Sequence, residues 1–302
     1  ITTGPNYAYI KIADGCSNCC TFCAIPKIRG IQKSRTIESI VEEANNLADQ
    51  GYEEIILTAQ DTTRYGQDIY GEPKLAELLQ EICKIDKIKW IRILYSYPET
   101  ITDKLIKVIK ENEKICNYFD IPIQHISDSV LKRMNRKSNG ESIRKLIQKL
   151  RKEIPNVILR TTVMVGFPGE TQENFEELYN FLKEAKFDKL GAFMYSKEEG
   201  TAAEKMPNQV HPSTKKSRYN KIMKLQQEIS RQNLQNKIRT VQKVRIDGIT
   251  KNQKFYVGRS YMDVPEIDGV VYIKNTTKLE LGNWINCKIT DIKDYDLVGE
   301  ID

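Results

Sequence analysis

Histidine is almost missing from this 302-residue chain. His125 and His211 are the only two, which excludes a metal site built from several imidazoles. Long apolar runs are missing as well. No stretch approaches the ~18 apolar residues that a membrane span needs, so no membrane-spanning segment is expected. No signal-peptide pattern opens the chain. Seven cysteines are present, but none sits in a convincing disulfide framework, which fits a reducing cytoplasm. Charge of one sign is scarce: the net charge is +6, and a nucleic-acid footprint is normally stronger. From Lys237 onward, 11 Lys and Arg face 10 Asp and Glu. The basic excess lies earlier and includes Lys215, Lys216, Arg218, Lys221 and Lys224 on one helix, a run that reads as a solvated face. Methionine is missing from position 1, where Ile1 stands, and a strand pattern begins at Tyr7, so an upstream segment is expected.

Against these absences one feature stands out. Cys16, Cys20 and Cys23 form a C-x₃-C-x₂-C array directly after the strand-like run 7–12. Three thiolates on one short loop can hold three irons of a four-iron four-sulfur cluster and leave the fourth iron open. A closed electron-transfer cluster would use four cysteines. An open iron can take an amine and a carboxylate, and S-adenosylmethionine carries both, among cofactors that do radical chemistry beside iron and sulfur. With aromatic Phe22 just before the last cysteine, the array resembles that of the radical S-adenosylmethionine superfamily. A zinc site is the plainer alternative, because Cys16, Cys19, Cys20 and Cys23 also read as two abutting C-x₂-C pairs. Structural zinc prefers two separated knuckles, and adjacent Cys19 and Cys20 are poorly placed to aim at one ion. Cys19 is therefore read as a bystander or a spare thiol. Cys83, Cys116 and Cys287 stand alone and read as packing residues.

Strand-like and helix-like segments alternate with a period near forty residues. Strands are expected at 7–13, 54–59, 90–97, 118–123, 157–165 and 189–195, with helices at 37–50, 75–85, 103–112, 142–153 and 172–185. The first helix shows Ile37, Ile40, Val41, Ala44, Leu47 and Ala48 at helical spacing. Thr36 and Gly51 are its expected caps. Six strand–helix units imply an open (βα)₆ barrel with a parallel sheet, a partial relative of the eight-fold TIM barrel. In such barrels chemistry collects at the C-terminal ends of the strands. Here those ends carry the cysteines, Gln60-Asp61, Tyr95 to Pro98, Gln124-His125, Gly166 to Glu170 and Tyr195 to Gly200. A long helix follows at about 214–236. Five short strands from Thr240 onward then read as a small antiparallel barrel of OB-like size, dividing the chain into domains 1–236 and 237–302.

Beyond the cysteines, the runs Ala59 to Gly66 (AQDTTRYG), Asp120 to His125 (DIPIQH), Val165 to Thr171 (VGFPGET) and Val264 to Gly269 (VPEIDG) resemble those of the radical S-adenosylmethionine methylthiotransferases. The likeness is strongest to the branch that modifies the β-carbon of an aspartate in the twelfth protein of the small ribosomal subunit. It covers essentially the whole chain, and the small C-terminal barrel resembles a TRAM domain. Members of this family also carry an N-terminal domain with three further cysteines for an auxiliary 4Fe-4S cluster, which nothing here matches.

The resemblance implies a 4Fe-4S cluster on Cys16, Cys20 and Cys23, binding S-adenosylmethionine at its open iron. One electron, from a donor such as flavodoxin or ferredoxin, then yields methionine and a 5′-deoxyadenosyl radical that abstracts hydrogen from an aspartate Cβ. Sulfur comes from the auxiliary cluster and the methyl group from a second S-adenosylmethionine. Phe22 is expected near the adenine or as an apolar loop anchor. Gln60 and Asp61 are candidates for the methionyl amine or ribose, and Gln124 and Arg160 for the ribose and carboxylate. Gly166 is expected to admit close backbone approach. A ribosomal protein substrate is preferred to tRNA, because the C-terminal domain is near neutral and its stretch 263–268 is acidic. A non-enzymatic iron–sulfur or zinc binding module remains the alternative from another class.

Overall fold

The structure is a computed structural model and describes residue 4 and residues 7–302. Six strands build the sheet of its first unit: β1 (Tyr7–Lys11), β2 (Glu54–Thr58), β3 (Trp90–Ile93), β4 (Tyr118–Gln124), β5 (Ile158–Val165) and β6 (Lys189–Met194). Between them run α1 (Ile37–Asp49), α2 (Leu75–Cys83), α3 (Asp103–Glu111), α4 (Gly140–Glu153) and α5 (Gln172–Ala185), and α6 (Pro212–Gln235) follows β6.

The seams between these six strands are all parallel, and a separate two-residue pair, Ala13–Asp14 with Lys33–Ser34, is antiparallel. β1 pairs with β2 and β2 with β3, while β4 pairs with β5 and β5 with β6. The two halves meet where Ile91 N–H donates to Lys114 O (2.7 Å), Cys116 N–H to Ile91 O (2.9 Å) and Ser96 N–H to Asp120 O (2.7 Å). The strands therefore follow one another in chain order as an open (βα)₆ barrel. The sheet is buried on both faces: consecutive Ile55, Ile56 and Leu57 point alternately inward and outward, yet all three are fully buried, as are Ile91, Ile121 and Val163. Inside the sheet, Arg92 pairs with Glu54 at 2.5 Å, both side chains fully buried, and its guanidinium lies 5.1 Å from the Trp90 ring.

The helices form where the apolar spacing and caps require. The Thr36 side chain accepts from Ser39 N–H, and α1 buries Ile40, Ala44, Leu47 and Ala48. Thr171 and Asn174 form a reciprocal capping box on α5. The largest departure from expectation is β3, which stops at Ile93 instead of reaching Tyr97. Tyr95 takes φ 60°, a conformation no strand continues through, and residues 94–97 turn across the strand ends.

The second unit begins at Gln227. The expected boundary, 236/237, lies just past the end of α6. Five strands, β7 (Val241–Ile249), β8 (Phe255–Arg259), β9 (Val271–Lys274), β10 (Trp284–Lys293) and β11 (Asp296–Ile301), close into a barrel in the order β8-β9-β11-β10-β7. The expectation of an all-antiparallel barrel needs one correction: β9 and β11 pair in parallel. A closed ring with an odd number of strands cannot alternate direction at every seam, so one parallel seam is forced. Val244, Ile246, Val271, Ile273 and Ile289 fill the interior. Cys287 and Cys116 are buried as expected, whereas Cys83 is half-buried. The acidic stretch is less of a surface than its sequence suggests. Asp263 is buried and accepts from the Ser260 hydroxyl, and Asp268 accepts from Val264 N–H (2.9 Å); Glu266 is exposed.

Candidate cofactor site

The cysteine loop is a closed excursion from β1. Gly15 (φ 72°) starts it, and a Cβ there would stand 2.3 Å from Ile31 O, so the two ends of the loop touch only because this residue is glycine. Cys16 N–H donates to Gly30 O and Cys23 N–H to Cys20 O. Cys19 sits in the left-handed region (φ 50°), and Asn135 Nδ2 holds its carbonyl at 2.9 Å. That turn leaves Cys19 exposed while Cys16 is buried and Cys20 and Cys23 are half-buried.

The loop is anchored from several strand ends. Thr21 donates its N–H to Met134 O and its hydroxyl to Arg133 O (2.8 Å), and its own carbonyl accepts from Ala203 N–H. Asn18 donates to Asp61 Oδ2 at 2.7 Å. Asp61, just past β2, is 1% exposed, and its Oδ1 accepts from the Thr63 hydroxyl (2.8 Å) and Arg64 N–H. Both carboxylate oxygens thus already have partners, which makes Asp61 a strut under the cysteine loop. Burial pushes the carboxyl above its usual range, and its hydrogen bonds oppose that shift. From the end of β3, Tyr97 Oη stands 2.7 Å from Cys20 Sγ. The Tyr97 ring carries the Arg136 guanidinium at 3.8 Å.

Each of the three cysteines therefore faces a hydrogen-bond donor. Backbone N–H groups of Asn18 and Ile25 serve Cys16 and Cys23, and the Tyr97 hydroxyl serves Cys20. Burial pushes the Cys16 and Cys23 thiols up, and Cys20 adds to both shifts. Ligation must displace these protons, so loading the site releases acid.

These residues fit a cubane cluster better than a single ion. All seven cysteines are free thiols. Among the described residues, no three His, Cys, Asp or Glu side chains close around one metal ion. In a cubane each thiolate meets a different iron, so three sulfurs spread over one loop suit it, and three donors leave one iron without a protein ligand.

The remaining sequence candidates occupy different places. Phe22 packs edge-on against Phe167 (centroids 6.2 Å apart) beside the buried cluster of Val130, Met134, Phe167, Tyr195 and Ala203. In this structure it anchors the loop. Gln60 follows Asp61's strand, and its Oε1 is buried without a hydrogen-bond partner among the described residues. Gln124 ends β4 at φ 67°. Arg160, well inside β5, lies 3.5 Å from Asp120. Gly166 (φ 71°) does admit a close approach, by a side chain: a Cβ there would meet Lys215 Cγ at 2.3 Å. The Lys215 ammonium donates to Tyr195 O at 2.8 Å.

Sequence reasoning missed the support behind the Gly-rich turn. Glu170 is fully buried; its Oε2 accepts from Gly166 N–H (2.6 Å) and Phe167 N–H (3.2 Å), and its Oε1 from Arg218 (2.7 Å). Arg218 is buried on α6, so the basic run expected to be a solvated face contributes two structural cations, Arg218 and the half-buried Lys215. His125, also fully buried, accepts Ser127 N–H on Nδ1, and its Nε2 lies 3.9 Å from Glu170 Oε2. Burial, with Arg218 and Arg133 nearby, pushes its pKa down to about 3.

Comparison with known proteins identifies the family. The Radical SAM superfamily profile matches residues 10–182, and the TRAM domain profile matches residues 239–301. The chain is 62% identical to the ribosomal protein uS12 methylthiotransferase RimO of Alkaliphilus oremlandii, over 100% of this chain and 69% of the relative. It is 52% identical to the enzyme of the same name from Clostridium novyi, over 100% of this chain and 67% of the relative. In fold, it superposes on the radical S-adenosylmethionine methyltransferase TsrM of Kitasatospora setae, solved with cobalamin and a 4Fe-4S cluster bound. There the TM-score is 0.54 and the identity 17%, covering 66% of this chain and 38% of TsrM. Two matched domains in this order, together with full-length identity above one half, place the chain: it belongs to the Radical SAM superfamily and, within it, to the family of ribosomal protein uS12 methylthiotransferases.

Proposed function

We propose that this chain carries the radical-generating and TRAM parts of an enzyme that methylthiolates an aspartate β-carbon of ribosomal protein uS12. The observation that carries this reading is the anchored loop presenting Cys16, Cys20 and Cys23 beside the ends of β2 and β3. These cysteines would hold a 4Fe-4S cluster. When bound, the cluster and S-adenosylmethionine supply one-electron reductive cleavage of a sulfonium, the kind of chemistry an unactivated C–H bond requires.

The chain's own residues do the rest. Asp61 and Asn18 fix the cysteine loop, and Glu170 shapes the Gly166–Phe167 turn that backs Phe22. Gln60 offers a free acceptor for an ammonium or a hydroxyl. The chain spans 69% and 67% of the lengths of these two relatives. Apart from Cys19 on the same loop, its other thiols, Cys83, Cys116 and Cys287, are scattered over an α2 end, the approach to β4 and the second unit. The auxiliary sulfur-donating cluster is accordingly assigned to sequence outside this chain. The electron donor is a small redox protein such as flavodoxin or ferredoxin. A cytoplasmic location suits both a ribosomal substrate and seven free thiols.

The test is anaerobic reconstitution, followed by reduction with S-adenosylmethionine and, in separate reactions, uS12 or tRNA present. The chain is expected to make 5′-deoxyadenosine and methionine without transferring a methylthio group. No cleavage from a loaded cluster would sink the enzymatic reading. Methylthiolated uS12 made by this chain alone would sink the need for a second cluster elsewhere. Thiomethylated tRNA would move the substrate from protein to RNA.

A further inference from the structure

We infer that Tyr97 is a positioning residue that tunes the cluster, its hydroxyl donating to the Cys20 sulfur while Arg136 lies across the face of its ring. The inference rests on the proposed cluster at Cys16, Cys20 and Cys23, and adds to it a role for two side chains that belong to neither the cysteine array nor the Gly-rich turn.

The geometry is specific. Tyr97 Oη and Cys20 Sγ are 2.7 Å apart, from residues 77 positions apart in the chain. Once Cys20 is a thiolate, only the hydroxyl has a proton to give, so the direction of the bond is fixed. The residue is held by its backbone as well as by its hydroxyl. Tyr97 N–H donates to Thr63 Oγ1 at 2.9 Å, and that hydroxyl donates to Asp61 Oδ1, so the strut that supports Asn18 also sets the tyrosine. The Arg136 guanidinium carbon lies 3.8 Å from the ring centroid and is itself buried, with Nη2 donating to Pro122 O at 3.0 Å. A cation on a phenol face draws electron density from the ring and strengthens the O–H as a donor. Glu99 is the acid on the same segment, and its Oε1 is engaged by Ser138 N–H.

Hydrogen bonds to cluster sulfurs and nearby positive charge both favour the more negative, reduced state, and they are among the levers that set iron–sulfur potentials. The backbone donors at Cys16 and Cys23 cannot be removed by changing one side chain, and the Asn18 side chain that also serves Cys16 is tied to Asp61 under the loop. The donor at Cys20 can.

The experiment compares reconstituted wild-type chain with Tyr97→Phe by EPR-monitored redox titration, after iron, sulfide and thermal stability have been checked for each. Tyr97→Phe is expected to load the same iron and sulfide. At a fixed applied potential its reduced-to-oxidised ratio should fall about tenfold, which for a one-electron couple is about 59 mV more negative. Arg136→Gln should shift the ratio in the same direction. A loaded Tyr97→Phe with an unshifted potential overturns the inference. If Tyr97→Phe does not load, Arg136→Gln decides: an unshifted potential there overturns it equally. If the wild-type chain itself takes up no cluster, the underlying cofactor reading fails first, and that outcome is distinct from a loaded chain that ignores Tyr97.

Discussion

At the scale of single residues, the four clustered cysteines separate by exposure and partners. Cys16→Ala, Cys20→Ala or Cys23→Ala is expected to abolish the iron–sulfur chromophore, whereas Cys19→Ala keeps it, because Cys19 is exposed with its sulfur 3.8 Å from the Ser17 carbonyl. Iron and sulfide counting after anaerobic reconstitution decides this; cluster loss in Cys19→Ala with retention in Cys20→Ala would reverse the ligand choice. His125 offers a separate test, by pH. Its pKa falls from 6.5 to about 3 on folding, so the unfolded state binds the proton more tightly. Stability from this group is present above pH 6.5 and drains as pH falls toward 3, at up to about 1.4 kcal/mol per pH unit. The stability difference between wild type and His125→Gln, followed by urea unfolding from pH 7 to pH 5, should therefore shrink on acidification. A difference independent of pH would show that the imidazole is not held neutral.

At the scale of elements, the turn after β5 depends on a helix that begins well beyond it. Arg218→Met leaves the fully buried Glu170 carboxylate without its cation and is expected to cost about 3–5 kcal/mol in urea unfolding. Pairing it with Glu170→Gln should recover part of that loss, and no recovery would mean the two residues act separately. This pair also marks where the sequence stopped being readable. Periodicity and caps located the six barrel strands and the five helices between them to within about four residues, because amphipathic spacing and N-cap side chains are local; the short strands Ala13–Asp14 and Lys33–Ser34 and the short helices Ile25–Arg29, Gln67–Tyr70 and Asp128–Arg133 have too few residues to show a period. The cysteine loop was readable for the same reason. Tyr97 with Cys20, Asn18 with Asp61 and Glu170 with Arg218 join residues 77, 43 and 48 positions apart, and no local pattern announces such pairs. Arg218 was hidden further by lying in a run that also holds the exposed Lys216, Lys221 and Lys224. β3 was read too long because Tyr95 sits among residues of strand type, and its positive φ comes from the strand-end contacts.

At the scale of the whole molecule, the near balance of charge after Lys237 leaves little for a phosphate backbone to hold. The barrel's cations are partly engaged locally: Lys243 and Arg245 both stack on Trp284, at 5.1 and 5.2 Å. The chain is expected to bind uS12 more tightly than a tRNA anticodon stem-loop at physiological salt, with a shallow salt slope. Tighter binding to the RNA would count against the substrate assignment.

The parallel seam forced on the five-stranded barrel has a kinetic consequence. The strand latest in sequence, β11, does not lie at an edge; it is wedged between β10 and β9 and completes two seams at once. Until it is inserted, β9 and β10 each present an unpaired row of peptide groups to any other extended chain. The assembly of this unit is therefore gated by its last strand, and a polypeptide cut short before Asp296 would be left with two sticky edges as well as an open core.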